Sequence, residues 1–174
     1  MEHILVVIDM QKDFITGALG SLSARAVVAP IARLLEQYRK NGWRVIYTAD
    51  THYENEFADQ ISREGKHIPR HCIKGEDGWE IVGELRPMER EPVVEKPSFG
   101  SLDLAEVIGP IAPEATIELC GVCTDICVVS NALNLRAYYP RNKIAVLADC
   151  CAGTSEENHK AALAVMRSCL IDIY

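Results

Sequence analysis

The amino-acid sequence predicts a three-layer α/β fold of the Rossmann-like kind, in which helices cover both faces of a central, mostly parallel β-sheet. Strand-sized apolar runs alternate with helix-sized amphipathic segments along the whole chain, a pattern that favours parallel strands joined by helical crossovers. The first run, His3–Ile8, is apolar and rich in β-branched residues, as expected for a strand buried on both faces. With 174 residues and 48% hydrophobic content, the chain is predicted to form a single domain over residues 1–174.

Helices and strands are then predicted in alternation to the end of the chain. Apolar residues recur at helical spacing over residues 24–40, and Asn41–Gly42 provides a stop signal. A strand is predicted at residues 43–49, whereas residues 50–80 are polar, interrupted by glycine and proline, and expected to form a long irregular loop. The remaining predicted elements are strands at 92–96, 116–120, 143–148 and 170–174 and helices at 123–139 and 155–169.

Ionisable residues stand at the carboxyl ends of three predicted strands. Asp9 follows the first strand, Asp50 follows the second, and Lys96 ends the third. In open parallel sheets, ligands bind beyond the carboxyl ends of the strands, near the point where the strand order reverses. We therefore expect these three side chains to face one binding crevice.

Cys127 is predicted to lie in or near the first turn of a helix that follows a strand and a glycine turn. Free backbone N–H groups and the helix dipole favour a thiolate there and can also stabilise an oxyanion. A lone cysteine in an α/β protein is more often a small buried hydrophobe. The nucleophile hypothesis depends on convergence, because Asp9 could accept the thiol proton and Lys96 could hold the carboxylate and stabilise the thiolate.

Three motifs, taken together, resemble the isochorismatase-like cysteine hydrolases in order and spacing. The resemblance spans nearly the whole chain and implies the isochorismatase-like version of the α/β fold. The motifs are Asp9–Phe14, Lys96–Phe99 and Gly121–Val128.

The resemblance implies roles for residues in each motif. Asp9, Lys96 and Cys127 would form the catalytic triad. The peptide bond between Val122 and Cys123 would be cis, and the backbone N–H groups of Cys123 and Cys127 would form the oxyanion hole. Isochorismatases proper lack the nucleophilic cysteine, so its presence favours hydrolysis of an amide or ureide over cleavage of a vinyl ether.

A further pair of segments looks like the metal-binding part of nicotinamidases. Asp50 and His52 lie two residues apart, and His71 follows within a Pro-x-His sequence. One carboxylate and two imidazoles can hold Zn²⁺, Mn²⁺ or Fe²⁺ and leave positions for water or a substrate nitrogen. The resemblance implies that this divalent metal binds the pyridine nitrogen of nicotinamide. His67 could add a ligand, although a histidine in such a loop is more often solvated.

Phe14, Ile68 and Val122 are the predicted substrate contacts. Nicotinamidases commonly carry an aromatic residue at the position of Ile68, so aromatic stacking on one side of the ring is expected to be lost. The predicted protein is an amidohydrolase of the nicotinamidase type. Cys127 would attack a small carboxamide and form a thioester, and Asp9 would protonate the departing ammonia and activate water. Another carboxamide or a ureido compound is the alternative substrate.

Three other functions explain less of the sequence. Cys120 and Cys123 have the spacing of a thiol redox site, but the usual proline is missing and the convergent carboxylate and ammonium groups stay unexplained. A structural zinc site from these two cysteines with Cys72 and Cys127 has no familiar spacing. The glycines of Gly17–Gly20 lie in a loop without the helix start that a nucleotide site needs.

Composition restricts the partners and the compartment. The net charge of −7 and the absence of a basic run predict no nucleic-acid binding, and no apolar stretch is long enough to span a membrane. The odd count of seven cysteines favours reduced thiols, and the N-terminus carries no secretion signal, so we expect a cytoplasmic protein. The family resemblance implies a homo-oligomer, either a dimer or a tetramer.

Overall fold

The computed structural model describes residues 2–174 and contains a central sheet of six strands in the order β3-β2-β1-β4-β5-β6. Every pairing between neighbouring strands of this sheet is parallel, and helices flank the sheet. The predicted fold class is therefore confirmed. The strands are β1 His3–Ile8, β2 Arg44–Asp50, β3 Val93–Lys96, β4 Thr116–Val122, β5 Lys143–Ala152 and β6 Asp172–Ile173.

The connections between the strands contain eight α-helices. Within residues 2–174, no helix is long and apolar enough to cross a lipid bilayer. The helices are α1 Lys12–Ile15, α2 Leu22–Ala26, α3 Val28–Lys40, α4 Glu54–Ala58, α5 Arg63–His67, α6 Asp103–Ile108, α7 Val129–Tyr138 and α8 Glu156–Ser168. Two short 3₁₀ turns lie at Asp77–Trp79 and Gly83–Leu85, and a π-helical turn lies at Thr124–Val128.

The helix predicted at residues 24–40 is wrong as a single element, because α2 and α3 meet at Val27. Pro30 explains the break: in a continuous helix it would lack the N–H group that bonds to the carbonyl of Ala26, whereas the first turn of α3 needs no such donor. The loop predicted at residues 50–80 contains α4 and α5. Ser62 starts α5 by accepting a hydrogen bond from the N–H of Gly65 at 2.8 Å.

The strand order reverses at β1, which lies between β2 and β4. At this point Ile8 pairs with Gly121, whose φ is +118°. A Cβ atom on Gly121 would lie only 2.1 Å from the Ile8 carbonyl oxygen, so a glycine is needed for β1 and β4 to approach each other. The residues that follow these two strands therefore begin side by side at the carboxyl edge of the sheet.

The core is built on β1, where the side chains from Ile4 to Ile8 are completely buried. Ile31, Leu35 and Tyr38 form the buried face of α3, at the three- and four-residue spacing that the sequence shows. All seven cysteines carry free thiols. This rigid centre holds the strand ends in fixed positions, which is what a site assembled from several strands requires.

Candidate active site and metal centre

Asp9, Lys96 and Cys127 meet at the carboxyl edge of the sheet. The Lys96 Nζ atom lies 2.6 Å from Asp9 Oδ2 and 3.5 Å from Cys127 Sγ, and it also donates a hydrogen bond to the Ser98 carbonyl at 3.0 Å. The side chains of Asp9 and Lys96 are completely buried. The structure thus brings together the three residues that the sequence motifs single out, around one ammonium group.

The backbone turns sharply at Asp9, where φ is +48°. Aspartate tolerates this left-handed conformation better than most residues. Thr48 of β2 stabilises the turn, since its hydroxyl donates to Asp9 Oδ1 at 2.6 Å and also accepts from the Asp9 N–H at 3.2 Å. One oxygen of the Asp9 carboxylate is therefore held by Thr48, and the other faces Lys96.

Burial decides the protonation states of this group. It raises the pKa of the Asp9 carboxyl despite the opposing effect of the Lys96 ammonium, and it raises the pKa of the Cys127 thiol well above its usual value, with the charge of Asp9 adding to the increase. The helix start was expected to favour a thiolate, but burial outweighs it. The thiol is therefore protonated at rest, and the neighbouring carboxylate is a stronger base than a solvated one.

The backbone before Cys127 has an unusual form. The peptide bond between Val122 and Cys123 is cis, and the chain then enters the π-helical turn that carries Cys127. In this turn the Cys123 carbonyl accepts hydrogen bonds from the N–H groups of Ile126 at 3.0 Å and Val128 at 3.1 Å. The cis bond lies where the family resemblance places it.

Asn131 connects the Cys127 turn to the segment that follows Lys96. Its buried amide donates to the Cys127 carbonyl at 2.8 Å and to the Phe99 carbonyl at 3.1 Å, and it accepts from the Ser101 N–H at 2.9 Å. This link was missed from sequence, because a lone asparagine in a helix carries no signal of its tertiary partners. Asn131 fixes the distance between the two segments that supply the thiol and the ammonium.

Four buried side chains converge beside this group. Asp50 Oδ2 lies 3.1 Å from the Nε2 atoms of both His52 and His71, and Glu64 Oε2 lies 3.2 Å from His52 Nε2. Their ligand atoms all lie within 4.8 Å of one another. The structure confirms that Asp50, His52 and His71 come together, and it adds Glu64, whereas His67 is exposed to solvent.

The chemistry of these donors fits a divalent metal ion. Glu64 Oε2 is buried, and within residues 2–174 no donor reaches it with good hydrogen-bond geometry, although His52 Nε2 lies 3.2 Å away; a cation at the centre of the group would give this oxygen a partner. The other ring nitrogens are already occupied: His52 Nδ1 faces Glu56 at 2.9 Å, and His71 Nδ1 donates to the Pro69 carbonyl at 2.7 Å. Both imidazoles therefore direct Nε2 toward the centre, the usual orientation for metal-binding histidines.

The charges of the four side chains also favour a bound cation. Burial would lower the pKa of His52, but Asp50 and Glu64 outweigh it and raise this pKa to about 10. A bound metal would replace the proton on His52, because an imidazole coordinates in its neutral form. Asp50 Oδ1 also lies 3.4 Å from Lys96 Nζ, so a single carboxylate contacts both the metal group and the ammonium.

A cavity of about 450 Å³ opens onto both groups. Phe14 and Ile68 line it as predicted, together with Phe99, which the sequence reasoning did not include. Val122, the third predicted contact, does not line the cavity: it is completely buried in the core, and the next residue, Cys123, lines the cavity instead. Since β4 is buried along most of its length, alternation of apolar residues could not indicate which of its final side chains reaches the site.

The placement of the other cysteines and of two glycines gives no support to a redox site, a structural zinc site or a nucleotide site. Cys120 is completely buried, and burial raises the pKa of its thiol well above its ordinary value, which is the opposite of a reactive redox thiol. The four-residue metal group contains no cysteine. Gly17 and Gly20 lie between α1 and α2, and Gly20 belongs to the wall of the same cavity.

The chain belongs to the isochorismatase family, since the isochorismatase domain matches residues 3–173. It is similar to the pyrazinamidase of Pyrococcus horikoshii, solved in complex with zinc, with 26% identity, a TM-score of 0.85 and coverage of 100% of this chain and 99% of that one. It is similar to the nicotinamidase/pyrazinamidase PncA of Bacillus subtilis, with 28% identity, a TM-score of 0.84 and coverage of 99% of each chain. The N-carbamoylsarcosine amidase of Thermoplasma acidophilum shares 30% identity, with a TM-score of 0.81 and coverage of 99% and 95%.

Proposed function

We propose that this amidohydrolase cleaves the carboxamide of nicotinamide, or of a closely similar uncharged heteroaromatic amide, through a thioester on Cys127. The observation that carries the proposal is the position of Lys96 Nζ, 2.6 Å from the Asp9 carboxylate and 3.5 Å from the Cys127 sulfur. This arrangement supplies an acid-base group, a nucleophile and a fixed positive charge in one place. The whole chain acts as one domain in this proposal.

In the first half of the reaction, Asp9 takes the proton from the Cys127 thiol, and the sulfur attacks the carbonyl carbon. The negative charge that forms on the amide oxygen is stabilised by the backbone N–H groups of Cys123 and Cys127. The C–N bond then breaks, Asp9 gives its proton to the leaving nitrogen, and ammonia departs from the thioester. The raised pKa of Asp9 suits both proton transfers.

In the second half, Asp9 removes a proton from water, and the hydroxide attacks the thioester carbonyl. The C–S bond breaks, the sulfur recovers the proton from Asp9, and the carboxylic acid is released. Lys96 keeps its positive charge throughout, because the acidic groups around it raise the pKa of its ammonium although burial opposes this. Its role is to hold the Asp9 carboxylate and to stabilise the sulfur while it is negatively charged.

Asp50, His52, Glu64 and His71 would hold the divalent metal ion, for which Zn²⁺, Mn²⁺ and Fe²⁺ are suited by their ligand preferences. When bound, the ion supplies a Lewis acid that can hold a ring nitrogen of the substrate. The similar pyrazinamidase was crystallised with zinc, which supports the choice of Zn²⁺. Phe14 lies against this group, with its ring centroid 5.6 Å from that of His71, and can pack against the bound ring.

The charges lining the cavity favour an uncharged substrate over a ureido acid of the N-carbamoylsarcosine type. Asp50 and Glu64 contribute carboxylates to the wall, whereas none of the residues 2–174 that line the cavity is a lysine or an arginine. A ureido acid carries a carboxylate of its own. The two positive charges of a bound Zn²⁺ would already be balanced by Asp50 and Glu64, and no side-chain cation of the wall would pair with the substrate carboxylate. Nicotinamide has no such group and leaves no unpaired charge.

Ammonia release from three substrates tests the proposal. The zinc-loaded protein is supplied with nicotinamide, pyrazinamide and N-carbamoylsarcosine, and kcat/KM is measured for each. We expect both aromatic amides to exceed the ureido acid by roughly 100-fold or more, because burial of an unpaired carboxylate costs several kcal/mol. A higher kcat/KM for N-carbamoylsarcosine would contradict the proposal and assign the protein to ureide hydrolysis.

The metal group leads to a separate prediction for Glu64. Replacing Glu64 with glutamine removes one anionic ligand with little change in shape, so the dissociation constant for Zn²⁺ should increase by about tenfold or more. Competition with a chromophoric chelator measures this constant without substrate. Glu54→Gln is the matched control, because Glu54 is exposed and pairs with Arg70 on the surface. Equal zinc affinity in both variants would show that Glu64 is not a ligand.

A further inference from the structure

The side chain of Gln11 forms three hydrogen bonds beside the metal group. Its Nε2 atom donates to the Asp50 carbonyl at 2.8 Å and to the Trp79 carbonyl at 2.9 Å, and its Oε1 atom accepts from the Asp50 N–H at 2.8 Å. Gln11 is completely buried. Its amide therefore pairs with both backbone polar groups of Asp50, as an adjacent strand would.

This contact joins three parts of the chain. Gln11 follows the end of β1, Asp50 is the last residue of β2, and Gln11 also pairs with Ile81 in an isolated antiparallel bridge. The Trp79 indole N–H donates to the Thr51 hydroxyl at 2.9 Å, so the segment around Trp79 also contacts the residue that follows β2. Gln11 and its neighbours thus fix the orientation of the Asp50 backbone at the end of β2.

The orientation of the Asp50 backbone matters for the site because the Asp50 carboxylate has two kinds of partner. Oδ2 lies 3.1 Å from the Nε2 atoms of His52 and His71, and Oδ1 lies 3.4 Å from Lys96 Nζ. A small rotation of the Asp50 backbone would move both oxygens together. The metal group and the ammonium would then lose a partner at the same time.

We propose that Gln11 is a positioning residue that aligns the Asp50 carboxylate between the metal ion and Lys96. This rests on the proposed function for the identity of the two groups that Asp50 serves. Within residues 2–174 the Gln11 side chain forms no hydrogen bond to the histidines or to the reacting thiol, and it acts through the backbone of Asp50. A residue that only stabilised the fold would have no specific effect on metal affinity.

Two variants of Gln11 separate these roles. Gln11→Met keeps an unbranched side chain of similar length and removes all three hydrogen bonds, whereas Gln11→Glu keeps an acceptor for the Asp50 N–H and loses both donors. We expect the zinc dissociation constant to increase by about tenfold or more in Gln11→Met, with a smaller increase in Gln11→Glu. The visible absorption of the Co²⁺-substituted protein should change as well, because it reports the geometry of the ligands.

Asn142→Leu is the matched control. Asn142 is a buried amide that donates to the carbonyls of Ala112, Pro113 and Ala115 at 2.7, 3.3 and 3.1 Å, just before β5 and therefore at the amino edge of the sheet. Its loss should lower the free energy of unfolding and leave zinc affinity and the Co²⁺ spectrum unchanged. The positioning role is overturned if Gln11→Met, like this control, loses stability but keeps its zinc affinity and Co²⁺ spectrum. Should Gln11→Met fail to fold, the Gln11→Glu variant decides: zinc binding as tight as that of the natural protein overturns the role.

Activity provides a second readout. Misalignment of Asp50 should lower kcat for the amide more than it raises KM, because Lys96 then holds Asp9 and the sulfur less well in the transition state. The zinc measurements need no substrate, so they keep the two hypotheses apart. A natural protein that binds zinc but hydrolyses none of the amides overturns the proposed function, whereas unchanged zinc affinity in the Gln11 variants overturns only the positioning role.

Discussion

Replacing Cys127 with alanine is expected to lower kcat/KM for nicotinamide by roughly 10⁴-fold or more, the effect of removing a nucleophile from a cooperating catalytic group. The carboxylate of Asp9 and the ammonium of Lys96 remain, but no thioester can form. Ammonia release measures the loss. Mass spectrometry of the natural protein, quenched during turnover, should in addition show an acyl group on Cys127 that is missing in the variant.

Cys169→Ala is the control for the loss of a thiol, because Cys169 is exposed and lies at the end of α8. It should retain the activity of the natural protein. Alkylation gives an independent check: since burial raises the pKa of the Cys127 thiol, its reaction with iodoacetamide should be slow near neutral pH and faster as the pH rises. Cys127→Ala with more than a tenth of the natural activity would exclude this residue as the nucleophile.

The convergence of Asp9, Lys96 and Cys127 could be predicted from sequence because a small number of physical rules determines it. Parallel strands end at the same edge of a sheet, and the order β3-β2-β1-β4 brings the residues after β1 and β4 together at the switch point. Asp9, Lys96 and Cys127 follow from those rules together with the family motifs. Their protonation states could not be predicted, because burial and charge at the site depend on the packed structure.

The position of Glu64 in the metal group could not be predicted from the sequence. It lies on the five-residue helix α5, in a polar segment without apolar periodicity, where acidic residues are common and each looks like a solvated one. Gln11 and Asn131 were missed for a related reason, since the backbone groups that a side-chain amide binds are set by tertiary structure. The sequence could not show that Cys123 rather than Val122 lines the cavity, because the residues at the end of β4 are all buried.

Replacing Lys96 with methionine should affect both catalysis and folding. Its ammonium lies between the carboxylates of Asp9 and Asp50, at 2.6 and 3.4 Å, and all three side chains are buried. Without the cation Asp9 remains buried with no opposite charge beside it, and Asp50 keeps only its histidine partners. Removing one partner of a buried ion pair typically costs about 3 to 5 kcal/mol in the free energy of unfolding. Lys74→Met is the matched control, because Lys74 forms an exposed pair with Glu95 and its loss should change little.

The pH dependence of stability distinguishes the loss of this charge from a simple packing defect in the Lys96→Met variant. Burial already raises the pKa of Asp9 above its usual value, and removing the opposing effect of Lys96 raises it further. A carboxyl whose pKa is higher in the folded state stabilises that state at low pH and loses this contribution as the pH rises through the folded-state value. Urea unfolding is measured at about pH 5 and at about pH 8. The free energy of unfolding should fall more between these two pH values in the variant than in the natural protein. A destabilisation that is equal at both pH values would mean that Asp9 does not depend on the Lys96 charge, and the catalytic role assigned to this pair would fail with it.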